Sequence, residues 1–231
     1  RGAEQDFAAA LAITPESHPL RLGLARAYRA QGKSHEALSA AEEATNRAPE
    51  NAAAWLLLGE LRARLAHDTQ AAEAFARAVR YDGSSFEARI GLAAAGVRLG
   101  QPDAAVTQLT RAAELRPEAA EVHAELARLH EAAGRAAEAA KAFRRLAALR
   151  PLVADESRRH GLLAAQLDDH PTAAAELRAA RPSFADDRDL LLALATAEIK
   201  QAHFEAAIDP LEQLVKQIGR ASCRERVSLN V

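Results

Sequence analysis

The 231-residue chain contains no methionine, a single cysteine, one tryptophan and two tyrosines, and aromatic residues make up only 4% of it. Aromatic side chains supply the largest buried areas in globular cores, so their scarcity argues against thick layered packing and for thin layers of small residues. The lone cysteine, Cys223, excludes an internal disulfide and any cysteine-based metal cluster. Charge of one sign is not in surplus either: 30 basic against 32 acidic residues leave a formal charge of −2. Neutralising a phosphate backbone requires a basic excess, so nucleic-acid binding is not expected. No apolar run approaches the roughly 18 residues that a spanning helix needs, so insertion of this segment into a membrane is not expected. The missing methionine fits a segment drawn from a longer reading frame, and the alanine-rich, Arg-over-Lys composition fits a GC-rich bacterial one. A cytoplasmic and a periplasmic setting are equally compatible with it.

What the sequence has in abundance is alanine. Hydrophobic residues reach 49% largely through it, and with Leu, Arg and Glu it makes a strongly helix-favouring mixture. One alanine recurs every 34 residues, at Ala3, Ala37, Ala71, Ala105, Ala139, Ala173 and Ala207, without insertion or deletion. A fixed period of that length marks a repeat architecture. Four positions after each comes Phe7, Ala41, Phe75, Leu109, Phe143, Leu177 or Leu211, and three further comes Ala10, Ala44, Ala78, Ala112, Leu146, Ala180 or Leu214. This i, i+4, i+7 spacing draws one apolar stripe along a helix. A second stripe runs upstream through Leu24, Leu58, Leu92, Leu126, His160 and Leu194, each followed by Ala or Gly, small residues that let two helices approach closely. Between the stripes, Gly32, Ala66, Gly100, Gly134, Asp168 and Ala202 mark a turn. Pro15, Pro49, Asp82 with Gly83, Pro117 and Pro151 end the unit. Each unit is helix, turn, helix, and because one hairpin cannot bury its apolar face alone, neighbours must stack.

These residues resemble the tetratricopeptide repeat family over positions 1–217. Trp55, Leu58 and Gly59 stand in its W-x-x-L-G slots, Tyr28 in its tyrosine slot, Phe75 and Phe143 in its second-helix aromatic slot, and Pro49, Pro117 and Pro151 in its closing-proline slot. The resemblance implies an all-α fold, a right-handed α-α superhelical solenoid of 34-residue helix-turn-helix repeats. The second helix of one repeat would occupy 1–17, and six repeats would start near residues 18, 52, 86, 120, 154 and 188. It also implies a non-catalytic scaffold without cofactor, binding a partner peptide or protein on a concave face built from the first helices. The alternative is the adaptor part of a larger bacterial enzyme, such as a transferase, or of an export or polysaccharide-secretion protein. Two specialised branches of the family are not matched. The carboxylate clamp needs Lys and Asn where this chain has Leu22, Arg26, Leu57, Glu87 and Gly91, and the asparagine ladder needs Asn where it has Gly23, Leu57, Gly91, Glu125, Arg159 and Ala193.

Polar clusters that could carry chemistry have structural readings. His123 and His130 share a helix but lie about 10 Å apart along its axis, too far for one metal ion, and read as packing residues, as does His160 in its leucine slot. Asp168, Asp169 and His170 precede Pro171, and Asp186 and Asp187 precede the sixth repeat, positions where Asp caps a helix. Ser84, Ser85, Phe86 and Glu87 fit a capping box. No catalytic, cofactor-binding or metal-binding set is expected. Ser157, His160 and the early Pro182 make the fifth repeat the most divergent. The apolar spacing ends near Gln217. Residues 218–227 read IGRASCRERV, the translation of a common sequencing adapter, so 218–231 is set apart as an artefactual tail and expected to be disordered.

The candidate partner surface lies on the first helices. One slot per repeat reads Leu22, Leu56, Ile90, Ala124, Arg158 and Leu192, an apolar floor broken only at arginine. Along one edge run Glu87, Glu121, Asp155 and Asp189. Along the other run Arg26, Arg29, Arg64, Arg98, Arg128 and Lys200, with Glu60 among them. Acids at the start of a helix and bases near its end complement the helix dipole, but the dipole does not account for the apolar floor. An exposed floor of this kind would be a partner site for a peptide or helix.

Overall fold

The computed structural model describes residues 2–228 and is built of helices and turns throughout. In chain order its helices are α1 (Gly2–Ile13), α2 (His18–Ala30), α3 (Ser34–Arg47), α4 (Ala52–Arg64), α5 (Asp68–Tyr81), α6 (Phe86–Arg98), α7 (Pro102–Leu115), α8 (Ala120–Ala132), α9 (Ala136–Leu149), α10 (Ala154–Gln166), α11 (His170–Ala180), α12 (Arg188–Lys200) and α13 (Phe204–Ser228), with a short 3-10 turn at Arg181–Ser183. The chain divides into two compact units, Arg1–Val122 and His123–Val231. Within the first, α1 to α7 pack each on the next; within the second, α9 to α13 do the same. First helices also touch first helices, α2 with α4, α4 with α6, and α10 with α12. Consecutive hairpins stacked in this way form a solenoid.

Close approach is possible because bulk is supplied from one side of each contact. Phe75 on α5 is 3% exposed, and a Cβ added at Gly59 on α4 would lie 2.7 Å from its ring, one at Gly91 on α6 only 2.5 Å. The ring therefore occupies the volume that two first helices leave open. The preceding repeat reverses the assignment: Ala41 on α3 stands where Phe75 does and is fully buried, Leu57 of α4 stands where Gly91 does and is 3% exposed, and both belong to the same core. In the second unit Leu177 on α11 fills the space over Gly161, whose added Cβ would meet it at 2.6 Å. Its core gathers Ala173, Ala174, Leu177 and Ala180 of α11 against Leu190, Leu191 and Leu194 of α12. Trp55 ties its repeat to the preceding closing proline through an indole N–H donated to the Pro49 carbonyl at 2.7 Å, with the Arg77 guanidinium over its ring.

The turns repeat with the same period. Gly32, Ala66, Gly100, Gly134, Asp168 and Ala202 all sit at positive φ, between 58° and 75°. The next residue closes each helix end: Lys33 donates to the Tyr28 carbonyl at 3.0 Å, His67 to Arg62 and His203 to Glu198 at 2.9 Å. Asn51, Asp169 and Asp187 cap α4, α11 and α12 through their side chains. The Ser84 to Glu87 capping box does not form. Ser85 caps α6 by accepting from Ala88 N–H, while Ser84 donates to Asp82, because the helix begins one residue later than the box requires.

The C-terminal end also differs from expectation. Instead of ending near Gln217, α13 continues to Ser228; Ala, Arg and Glu in this stretch favour helix on their own account, so helical extension needs no repeat spacing. Residues 229–231 of the expected disordered tail lie outside the described residues.

An L-residue at left-handed φ costs about 1 kcal/mol that glycine avoids. Ala66→Gly and Ala202→Gly are each expected to stabilise the fold by about 0.5–1 kcal/mol in urea unfolding, less than the strain relieved because glycine loosens the unfolded chain. Gly100→Ala should destabilise it by a similar amount.

Candidate partner-binding surface

In the first unit the expected apolar floor is uneven. Leu22 is enclosed, at 8% exposure, within the core, so its placement on the floor is corrected: α3 and α4 close over it from within the same cluster. Leu56 and Ile90 are half-buried, Leu56 packing its inner side against that core. The expected edges are largely joined to one another or to neighbouring hairpins. Arg29 pairs with Glu60, Arg98 with Asp68, and Glu87 with Arg116 at 2.7 Å. Arg116 also lies over the Phe86 ring. Arg26 and Arg64 are exposed, and Glu121 projects at the start of α8.

In the second unit Ala124 is half-buried and Leu192 is 58% exposed. Arg128 folds back onto Glu125 of its own helix, and Asp155 reaches Arg159 at 3.5 Å. Asp189 and Lys200 are exposed. Arg158, the residue that breaks the apolar floor, donates from Nε to Asp187 at 2.5 Å and lies 5.5 Å over the Phe184 ring. It is therefore drawn toward the loop before α12, where Asp187 already caps that helix. Burial opposes ionisation of Asp187, but the Leu190 N–H and the Arg158 guanidinium together hold its carboxyl below the ordinary range.

A cleft of about 280 Å³ opens beside these groups, lined by Glu131, Gly134, Ala136, Arg158, Arg159, Leu162, Leu163 and Gln166. Glu131 accepts from Arg159 Nε at 2.7 Å, and Arg159 also stacks over Phe143. The expected surface included Arg158 but missed Arg159 and Leu162. The consecutive arginines were the available signal, since one guanidinium that fills a packing slot leaves its neighbour to line the surface. The arrangement presents paired charges, Arg158 with Asp187 and Arg159 with Glu131, around an apolar wall that includes Leu162.

The polar clusters set apart from the floor are structural in position. His123 is 8% exposed. His160 is 2% exposed and stacks on Phe143 with ring centroids 5.5 Å apart, so it supplies the bulk of the leucine it replaces. Ser157 beside it is also buried.

Sequence comparison bears on the whole arrangement. The profile of the tetratricopeptide repeat matches residues 22–80 and 95–154, the stretches containing the Trp55, Gly59 and Phe75 interlock and the Phe143 slot. The chain belongs to the tetratricopeptide repeat family. No curated relative matches it. Among solved tetratricopeptide proteins, its fold is similar to YrrB, described as having an unusual peptide-binding site, at 22% identity and a TM-score of 0.70, over 83% of this chain and 98% of that one. It is also similar to MamA, at 19% identity and a TM-score of 0.62 over 83% and 97%. A tetratricopeptide protein of Parabacteroides merdae follows at 18% identity and 0.59 over 93% and 85%. Identities this low show the shared fold alone. No helix among the described residues is long and apolar enough to cross a membrane.

The ion pairs give this tetratricopeptide array an acid-sensitive component. Glu156 at the start of α10 accepts from both Nη atoms of Arg150, at 2.8 and 2.7 Å, and from Val153 N–H at 3.0 Å. The arginine foremost, then the amide, hold its carboxyl below the usual 4.5. A depressed carboxylate stabilises the fold above its unfolded value and loses that contribution as pH falls through the lower folded one. Glu156→Gln should cost about 1 kcal/mol at pH 7 and lose less stability than the parent between pH 5 and 3, read by thermal melts across that range.

Proposed function

We propose that this tetratricopeptide chain is a non-catalytic scaffold that binds a partner peptide or protein on the face of its first helices. The observation that carries the reading is the juxtaposition in the second unit of an exposed leucine, Leu192, with an arginine, Arg158, one repeat earlier in the same slot, beside the cleft walled by Leu162. Apolar surface set among paired charges is what a peptide site requires: the leucine supplies burial and the guanidinium supplies orientation. In the second unit the proposed surface comprises Arg158, Leu192, Asp189 and Lys200; within the first unit, taken by itself, the same slots offer Leu56, Ile90, Arg26 and Arg64 and exclude Leu22. The description of YrrB as peptide-binding supports this class of ligand. The near-balanced charge supports a protein partner over a nucleic acid.

Leu192→Glu provides the test, because a residue exposed by more than half changes stability by only about 0.5 kcal/mol, whereas Leu56 contacts the core and its replacement would confound folding with binding. Affinity capture from the source organism, with identification of bound proteins, should yield a partner that Leu192→Glu loses and Ile13→Glu, exposed at the far end of the chain, retains. Retention of the same partner by Leu192→Glu at parental affinity would contradict the reading.

A further inference from the structure

Arg158 and Arg159 stand side by side on α10 and both line the cleft, but they spend their donors differently. Arg159 gives Nε and Nη2 to Glu131 and turns Nη1 toward Asp155 at 3.5 Å. Arg158 gives Nε to Asp187 Oδ2 at 2.5 Å, and no acceptor among the described residues meets its two Nη atoms. The other oxygen of Asp187 is engaged by the Leu190 N–H at 2.9 Å. Arg158 also lies over the Phe184 ring, 5.5 Å from its centroid. The guanidinium is thus fixed at one corner and against one ring, while its Nη edge stays open and the side chain is 25% exposed. Two parallel N–H groups held in place match a carboxylate in bidentate geometry, and little side-chain ordering remains to oppose its binding.

The lining sets the sign and size of what fits. Its charged groups are the two guanidinium groups and one carboxylate, Glu131, which favours an anion over a cation. Glu131 repels a doubly charged phosphate more than it repels a single carboxylate. With a volume of about 280 Å³, the cleft admits side chains but not a whole helix. Leu162 lies four residues after Arg158, so the two side chains share one face of α10, about 6 Å apart along the axis. Alternate residues of an extended peptide share a face too, about 7 Å apart. Leu163, 8% exposed, backs the same wall.

We propose that this cleft takes an extended peptide segment in which an acidic residue and a leucine-sized aliphatic residue are separated by one residue. The carboxylate sits on the Nη edge of Arg158, leaving the Asp187 pair intact, and the aliphatic side chain lies on Leu162. The inference rests on the peptide-binding reading of the first-helix face and adds to it the chemical character of the ligand and its backbone conformation.

The probe is a blocked heptapeptide of glycine and serine carrying a glutamate and a leucine with one serine between them, titrated into the isotope-labelled full chain by NMR. Saturable shifts are expected at the Arg158 Nε–H and at the Leu162 amide. Replacing the peptide's glutamate by glutamine should weaken binding about ten-fold, the scale of a charge-assisted hydrogen bond. Arg158→Lys, which keeps the charge and loses the fork, should weaken it about five-fold. Placing the leucine directly beside the glutamate should cost as much as replacing it by serine. The peptide variants leave the protein untouched, so the result does not depend on how a mutant folds. Absence of saturable binding overturns the inference, as does indifference to the loss of the glutamate. Tighter binding with three residues between glutamate and leucine would assign the cleft to a helical ligand, and tighter binding of phosphoserine in place of glutamate would assign it to a phosphate; either overturns it. The wider reading is judged separately, by the partner captured through Leu192.

Discussion

The rest of the structure depends on a volume constraint at the contacts between first and second helices. Two helices rich in alanine approach so closely that a large side chain can enter from one side only, and the opposing position must then be glycine or alanine. Phe75 against Gly59 and Gly91, Leu177 against Gly161, and the reversed pair of Ala41 with Leu57 are three solutions of the same condition. Close-packed interiors tolerate neither the void nor the overlap that a mismatch would create. The low aromatic content follows from this: one large residue per junction suffices, and a second would not fit. The turns obey a related constraint, since every hairpin reverses through one left-handed residue whether or not glycine supplies it.

Electrostatics acts on that frame rather than building it. Acids near the starts of first helices and bases near their ends complement the helix dipoles, but the stacked hairpins then bring residues about 28 to 31 positions apart into contact, as in Arg29 with Glu60, Arg116 with Glu87 and Arg158 with Asp187. Most such pairs are partly exposed and individually contribute little. On the proposed partner surface, the Nη edge of Arg158 apart, an acidic or basic ligand would have to exchange charges that the chain already pairs, which would leave selectivity to the apolar positions between them.

The all-helical class and the hairpin repeat were legible from composition and a 34-residue alanine period, since hydrophobic spacing reports directly on which side of a helix is buried. The surface was less so. Leu22 and Leu192 occupy the same slot and differ only in what covers them: one lies inside a core, the other is more than half exposed. A slot specifies a direction, whereas exposure depends on neighbours many residues away. The same limit hid the pairing of Arg158, whose partner Asp187 is 29 positions distant, and the part played by Arg159, which leaves its slot to stack on Phe143. Ser84 and Glu87 have the right spacing for a capping box, but the helix start is set by Phe86 entering the core, and local preference yields to tertiary packing.

The constraint is tested most directly by transplanting one junction's solution into another. Phe75→Ala should cost about 3–5 kcal/mol by opening a cavity. Gly91→Leu alone should cost at least about 1–3 kcal/mol by overpacking. Together the two substitutions recreate the arrangement of Ala41 with Leu57, and the double-mutant cycle in urea unfolding should show a favourable coupling of about 2 kcal/mol or more. Additive losses would contradict the account, because they would mean that the two helices do not share a single volume between them.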